Sequence, residues 1–231
     1  MKILAVDTST KMGSVALTEN ESLIAQLQLN VEVTHTERLL PAVETLLNQT
    51  GLTLEKVDGL ALAIGPGSFT GLRVGLATMK GFAQARGLPL VGVSSLLALA
   101  CNGWMSERPV AACLDAHRGE VYAAVYSGDT TLNSKGTKCC VPEQAVKPEL
   151  LCNTLKDIGP CWLIGDGAIR YRQLFKDKLG EAALFAPEPL MRLEAKWVAH
   201  LALPRLQKGE GRNWEDLSPN YLRLSDAELK K

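Results

Sequence analysis

Two aspartates, two glycine turns and six thiols are the residues whose types and spacing bear on chemistry. Asp7 closes the apolar run Lys2–Asp7 and Asp115 closes Val110–Asp115. A carboxylate at a strand end can hold a metal–nucleotide complex. It can also close a hairpin, because Asp bonds readily to turn backbone. Each Asp is answered by Ile-Gly-x-Gly, whose first glycine lies 58 and 50 residues later: Ile64-Gly65-Pro66-Gly67 and Ile164-Gly165-Asp166-Gly167. Glycines there let backbone approach a phosphate with no Cβ between. No Gly-Lys-Ser/Thr follows, so this is not a Walker A loop, and it is not G-x-G-x-x-G. The other reading is a strand-to-helix turn capped by Ser68 or Thr70, with a weak residual anion site at the helix N-terminus. The cysteines at 101, 113, 139, 140, 152 and 161 form no C-x-x-C, and three histidines give no zinc pattern. They read as scattered, reduced thiols, with Cys139 and Cys140 as strand neighbours facing opposite ways.

The elements that must position these residues follow from periodicity. The first half predicts strands at Lys2–Asp7, Ser14–Thr18 and Leu23–Leu29, then a helix over Thr36–Gln49. A strand at Gly59–Ile64, a helix over Thr70–Arg86, a strand at Leu90–Val93 and a helix from Ser94/Ser95 to Cys101 complete it. The second half predicts strands at Val110–Asp115, Glu120–Tyr126 and Lys135–Val141 and a helix over Pro148–Lys156. Cys161–Ile164 (strand), Ile169–Leu179 (helix), Ala183–Phe185 (strand) and Leu193–Leu206 (helix) follow. Both halves read βββαβαβα, and three local matches in the same order argue for duplication: the strand-end Asp, the glycine opening a second strand (Gly13-Ser14-Val15-Ala16 and Gly119-Glu120-Val121-Tyr122), and Ile-Gly-x-Gly. That plan is ribonuclease-H-like. Two tandem copies make an α/β protein of the actin-like type, with lobes at 1–107 and 108–231 and a polar tail from Gly209 that returns to the first lobe.

Composition sets limits. Lys plus Arg and Asp plus Glu are each 25, so formal charge is zero, and no basic stripe is visible. A chain that holds nucleic acid by itself normally shows one, so any nucleic-acid role is expected to run through a partner. Asp7 interrupts the opening apolar run before a signal-peptide core forms, and no apolar stretch reaches the length of a membrane span. A cytoplasmic location without membrane contact is the expectation.

Four segments resemble the TsaB (YeaZ) family: Ile3–Thr10, His35-Thr36-Glu37-Arg38-Leu39-Leu40-Pro41, the eleven residues Gly65–Gly75, and Pro219-Asn220-Tyr221-Leu222-Arg223. They run from position 3 to 223 and so imply one family member throughout. The resemblance implies a non-catalytic subunit needed for threonylcarbamoylation of adenosine 37 in tRNAs reading ANN codons. It implies a TsaD heterodimer, TsaE as a third, ATP-hydrolysing component, and a homodimer when alone. ATP, ADP and metal then belong to the partners, and no cofactor to this chain. TsaD-type relatives bind metal through H-x-x-x-H on the first long helix. Here His35 is followed four residues on by Leu39, so the second ligand is absent, and one imidazole cannot anchor a catalytic metal unaided. His117 and His200 stand apart without ligands at suitable spacing. Alternatives in another class are a nucleotide-binding enzyme of the actin-like superfamily, an M22-type metallopeptidase or a nucleotide sensor.

Partner contacts are expected on the first two helices. Leu39, Leu40, Val43, Leu46 and Leu47 make a stripe wider than one sheet face needs. Gly71 and Gly75, four apart on the second helix with Arg73 and Val74 between, share one face. Glycine inside a helix costs about 1 kcal/mol against alanine, and a shallow groove for a partner helix would explain it. A bulky side chain at 75 would then abolish binding without unfolding the chain.

Overall fold

In the computed structural model, residues 1–127 and 138–223 are described. They form two compact units: Met1–Ala98 with Glu194–Asn220, and Leu99–Leu193 with the chain from Tyr221 on.

The first unit carries β1 (Lys2–Asp7), β2 (Gly13–Glu19), β3 (Ser22–Leu29), α1 (His35–Thr50), β4 (Gly59–Gly65), α2 (Phe69–Arg86) and β5 (Leu90–Ser94). The short helix α3 (Ser95–Ala100) follows. The sheet order is β3-β2-β1-β4-β5, antiparallel through β1–β2–β3 and parallel through β1–β4–β5. Successive strand residues face opposite sides of a sheet. Leu4, Val6, Leu60, Leu62 and Leu90 join Leu39, Val43 and Leu46 of α1 and Met79 and Ala83 of α2 in one core. Ala5 sits opposite both Ala16 and Ala61, and Ala61 opposite Val91, so the alternate face is a row of small residues.

In the second unit come β6 (Val110–Asp115), β7 (Val121–Tyr126), β8 (Cys139–Val146), α4 (Pro148–Ile158), β9 (Cys161–Ile164), α5 (Asp166–Arg170), α6 (Arg172–Leu179) and β10 (Ala183–Phe185). Its order, β10-β9-β6-β7-β8, repeats the first with the same parallel and antiparallel pairs. Leu151, Leu155 and a fully buried Phe175 seal one face.

Four sequence expectations need correction. The helix predicted at Leu193–Leu206 and assigned to the second lobe is α7 (Ala195–Gln207), which belongs to the first unit and packs on β1, β2, β4 and β5. A side chain on Gly59 would meet Leu206 of α7, so Ala61 and Ala63, on the same side of β4, share that face. The small-residue row leaves room for a helix of Ala195, Ala199 and Ala202 at close range. The units accordingly divide after Ala98, not at 107/108. The helix predicted at Ile169–Leu179 is two, α5 and α6, broken where Tyr171 leaves helical geometry. The strand predicted at Lys135–Val141 is β8; positions 135–137 lie outside the described residues, and the strand continues through Pro142. Proline is tolerated there because β8 is an edge strand.

Candidate functional site

The two strand-end aspartates do the same local job. Asp7 Oδ1 accepts from the Ser9 N–H at 2.9 Å, and Asp115 Oδ1 accepts from the His117 N–H at 3.0 Å. Both close hairpins two residues on, as side-chain turns do. Asp115 also pairs with Arg170. The glycine turns match as well: Gly65 and Gly165 have φ of +116° and +117°, a region that suits glycine.

The phosphate-cradle reading meets a closed loop. The Ser68 N–H donates to the Ser9 carbonyl at 2.6 Å, and Thr8 Oγ1 donates to the Gly71 carbonyl at 2.8 Å. Ser68 Oγ caps α2 by accepting from the Gly71 N–H. Two donors a phosphate would need are thus engaged within the chain. A Cβ on Gly67 would overlap the Ser9 carbonyl, so the space its missing side chain leaves is already filled. The Asn220 N–H donates to the Ile64 carbonyl at 2.7 Å, so Asn220 of the Pro219-Asn220 pair covers the end of β4.

The glycine groove is an internal packing feature, which corrects the expectation that it receives a partner. Gly71 and Gly75 are buried, and Cβ atoms there would overlap the Thr8 carbonyl and Thr8 Oγ1. The groove holds the turn after β1. Leu39, Val43 and Leu46 are likewise core residues. Of the residues expected at an interface, Leu40 is exposed at 53%, Arg73 is exposed with its guanidinium 3.8 Å from the centre of the Phe69 ring, and Leu47 and Val74 are half-buried. The structure adds Ala77 and Gly81, exposed on α2, with open space around Gly81. Their small size carried no signal of exposure in the sequence.

Sequence reasoning also missed a buried polar knot. The Arg38 guanidinium donates to the carbonyls of Leu29, Val31 and Lys11. His35 Nε2 lies 2.8 Å from the Thr10 carbonyl, and its Nδ1 lies 3.1 Å from Arg38 Nη2. That pattern suits a neutral ring, protonated on Nε2 and accepting on Nδ1. Burial pushes the His35 pKa down, the Thr10 carbonyl pulls it partly back, and Arg38 depresses it further. Burial also lowers His200. A depressed histidine is neutral in the fold but binds a proton when unfolded. Its stabilisation is full above the unfolded pKa of about 6.5 and is lost as pH falls below it. The urea midpoint should therefore drop between pH 7.5 and 5.5, and His35→Gln should shrink that drop. A midpoint independent of pH over this range would contradict it.

Among the described residues, no three His, Cys, Asp or Glu side chains are grouped to hold a metal, and no helix is long and apolar enough to cross a membrane.

Two units of like sheet order, each with an aspartate and a glycine turn at the same strand ends, define the duplicated α/β fold of the actin-like type. A family model described as "TsaD: tRNA N6-adenosine threonylcarbamoyltransferase" matches residues 30–231. The Escherichia coli tRNA threonylcarbamoyladenosine biosynthesis protein TsaB is 33% identical, over 98% of this chain and 96% of its own. The solved structure of YeaZ from Pseudomonas aeruginosa is 30% identical, with a TM-score of 0.78 over 96% of this chain and 99% of that one. An activator of 2-hydroxyisocaproyl-CoA dehydratase from Clostridium difficile is similar in fold alone, at 12% identity and a TM-score of 0.54, over 96% of this chain and 100% of that one. The chain belongs to the TsaB (YeaZ) family.

Proposed function

We propose that this chain is the non-catalytic subunit of a tRNA threonylcarbamoyladenosine-forming complex, acting by binding a TsaD-type enzyme through the outer faces of α1 and α2. The relatives' name supports the pathway. The observation that carries the binding role is Leu40, a large apolar side chain 53% exposed on a helix whose neighbouring leucine and valine are buried. Isolated exposed leucines are common. This one lies on a helix packed beside α2, whose outer side offers Val74, Ala77 and Gly81, a low surface that a partner helix can approach. The same patch serves a homodimer in the absence of TsaD, so the two assemblies exclude one another. TsaE joins the heterodimer, tRNA is held by the complex, and nucleotide and metal are bound by the partners in the cytoplasm. The engaged donors around Gly67 support the reading that this chain turns over no nucleotide.

Leu40→Glu tests the surface. A charge placed in the centre of an apolar contact removes a hot spot worth 2 kcal/mol or more, so affinity for TsaD should fall at least ~30-fold by calorimetry. The thermal midpoint should hardly move, since surface substitutions change stability by about 0.5 kcal/mol or less. Unchanged affinity in a folded variant removes α1 from the interface. The competing enzymatic reading predicts nucleotide or peptide turnover by the isolated chain, and this reading predicts none.

A further inference from the structure

The six thiols divide sharply. Cys101, Cys113, Cys152 and Cys161 are buried, whereas Cys139 and Cys140 are both exposed. Burial pushes the Cys101 thiol up to about 12 and the Cys161 thiol up to about 11, so both stay protonated and unreactive. The sequence led us to expect Cys139 and Cys140 on opposite faces of a strand. The pairing of β7 with β8 shows otherwise. Val125 sits opposite Val141 and Tyr126 opposite Cys139, so one step along β7 spans two along β8 and Cys140 is an inserted residue. Such a bulge breaks the alternation that would separate neighbouring side chains. Val141 turns into the core, and both cysteines remain exposed beside it. The bulge lies on an edge strand, with no further strand beyond it among the described residues.

We propose that Cys139 and Cys140 form a vicinal dithiol modification site, oxidised reversibly by a hydroperoxide to an intrachain disulfide. The Cys139 thiol donates to the Val141 carbonyl at 3.1 Å, and partial burial, then its neighbour Cys140, raises its pKa. The Cys139 hydrogen is engaged by that carbonyl, so Cys140 is the first nucleophile and Cys139 the resolving thiol. The Cys140 thiolate attacks the peroxide, the O–O bond breaks, and a sulfenic acid and an alcohol or water result. The Cys139 sulfur then displaces hydroxide from the sulfenic sulfur, the S–S bond forms, and its proton leaves with the hydroxide as water. In total two thiols and one hydroperoxide give a disulfide, an alcohol or water, and one further water.

Adjacent Cα atoms are only ~3.8 Å apart, below the range of ordinary disulfides, so the bond is strained and readily reduced. That favours a switchable modification over a structural staple. Four buried thiols on the same chain serve as an internal control.

The test uses the reduced full chain, exposed to a slight molar excess of hydrogen peroxide. Intact mass should fall by two hydrogens, and thiols titrated in denaturant should fall from six to four, returning to six with dithiothreitol. Phenylarsine oxide, which bridges paired sulfurs, should bind the reduced chain one to one and block that oxidation. Cys139→Ser and Cys140→Ser should each abolish the two-hydrogen loss and the arsenical adduct with an unchanged thermal midpoint. Six thiols persisting, disulfide-linked dimers as the main product, or a two-hydrogen loss that survives in either serine variant would overturn the proposal.

Discussion

Gly71→Leu is expected to destabilise the first unit by about 3 kcal/mol or more, at or beyond the upper end of what overpacking costs. The Cβ alone overlaps the Thr8 carbonyl, and backbone cannot swing aside as a flexible side chain can. The rest of a leucine side chain then has to displace the turn after β1 or the start of α2. Either move breaks the bonds from Thr8 Oγ1 to the Gly71 carbonyl and from the Ser68 N–H to the Ser9 carbonyl. For a chain of this size the thermal midpoint should fall by roughly 6–12 °C. Gly75→Leu should behave alike, since its Cβ would overlap Thr8 Oγ1. Gly81→Ala is the control. The site is exposed and open, so alanine should stabilise by about 0.5–1 kcal/mol through helix propensity. If Gly71→Leu and Gly75→Leu melt with the parent, the close packing on Thr8 is not what those glycines provide.

Glycine spacing illustrates what a sequence conceals. Two glycines four apart on a helix announce that something approaches closely, and that much was legible. What approaches was not. A strand turn 63 residues away leaves no local mark on the helix, and a partner helix would ask for the same residues. Leu39 and Leu40 show the same limit. Adjacent leucines on a helix point about 100° apart, so one fills the core and the other meets solvent. The stripe alone does not say where the sheet's reach ends.

The elements of the first half were legible to within a residue, and so was the duplication, because strand-end aspartates and glycine turns recur in order. The placement of α7 was not. Its residues close one side of a sheet formed by the first hundred, and the choice between two similar sheets rests on a row of alanines in β1, β2 and β4 that reads as unremarkable strand. The bulge at Cys140 was invisible for a related reason, since register is a property of two strands and not of one.

Arg38→Ala is expected to cost roughly 2–4 kcal/mol, through the loss of charge-assisted hydrogen bonds and the stranding of their acceptors. One guanidinium ties together the end of β3 through Leu29, the following loop through Val31, and the β1–β2 turn through Lys11. No small side chain reaches all three carbonyls from α1. Arg38 is 7% exposed, so water replaces the lost donors poorly at those that remain buried. His35 loses the donor at its Nδ1 and with it part of the reason to stay neutral, so the pH dependence below 6.5 should weaken in the same variant. Arg38→Lys keeps the charge but not the planar fork, and should recover less than half of the loss. Urea unfolding measures the cost, and amide exchange reports where it falls. Protection should drop first around Lys11 and Met12, while amides of β9 and α6 keep theirs. Leu40 is exposed on α1, whereas Arg38 is buried. The folded fraction of Arg38→Ala should therefore bind TsaD within a few-fold of the parent, whereas Leu40→Glu does the reverse. An Arg38→Ala chain with an unchanged urea midpoint would mean that the turn after β1 is held by Asp7 and Thr8 without help from α1.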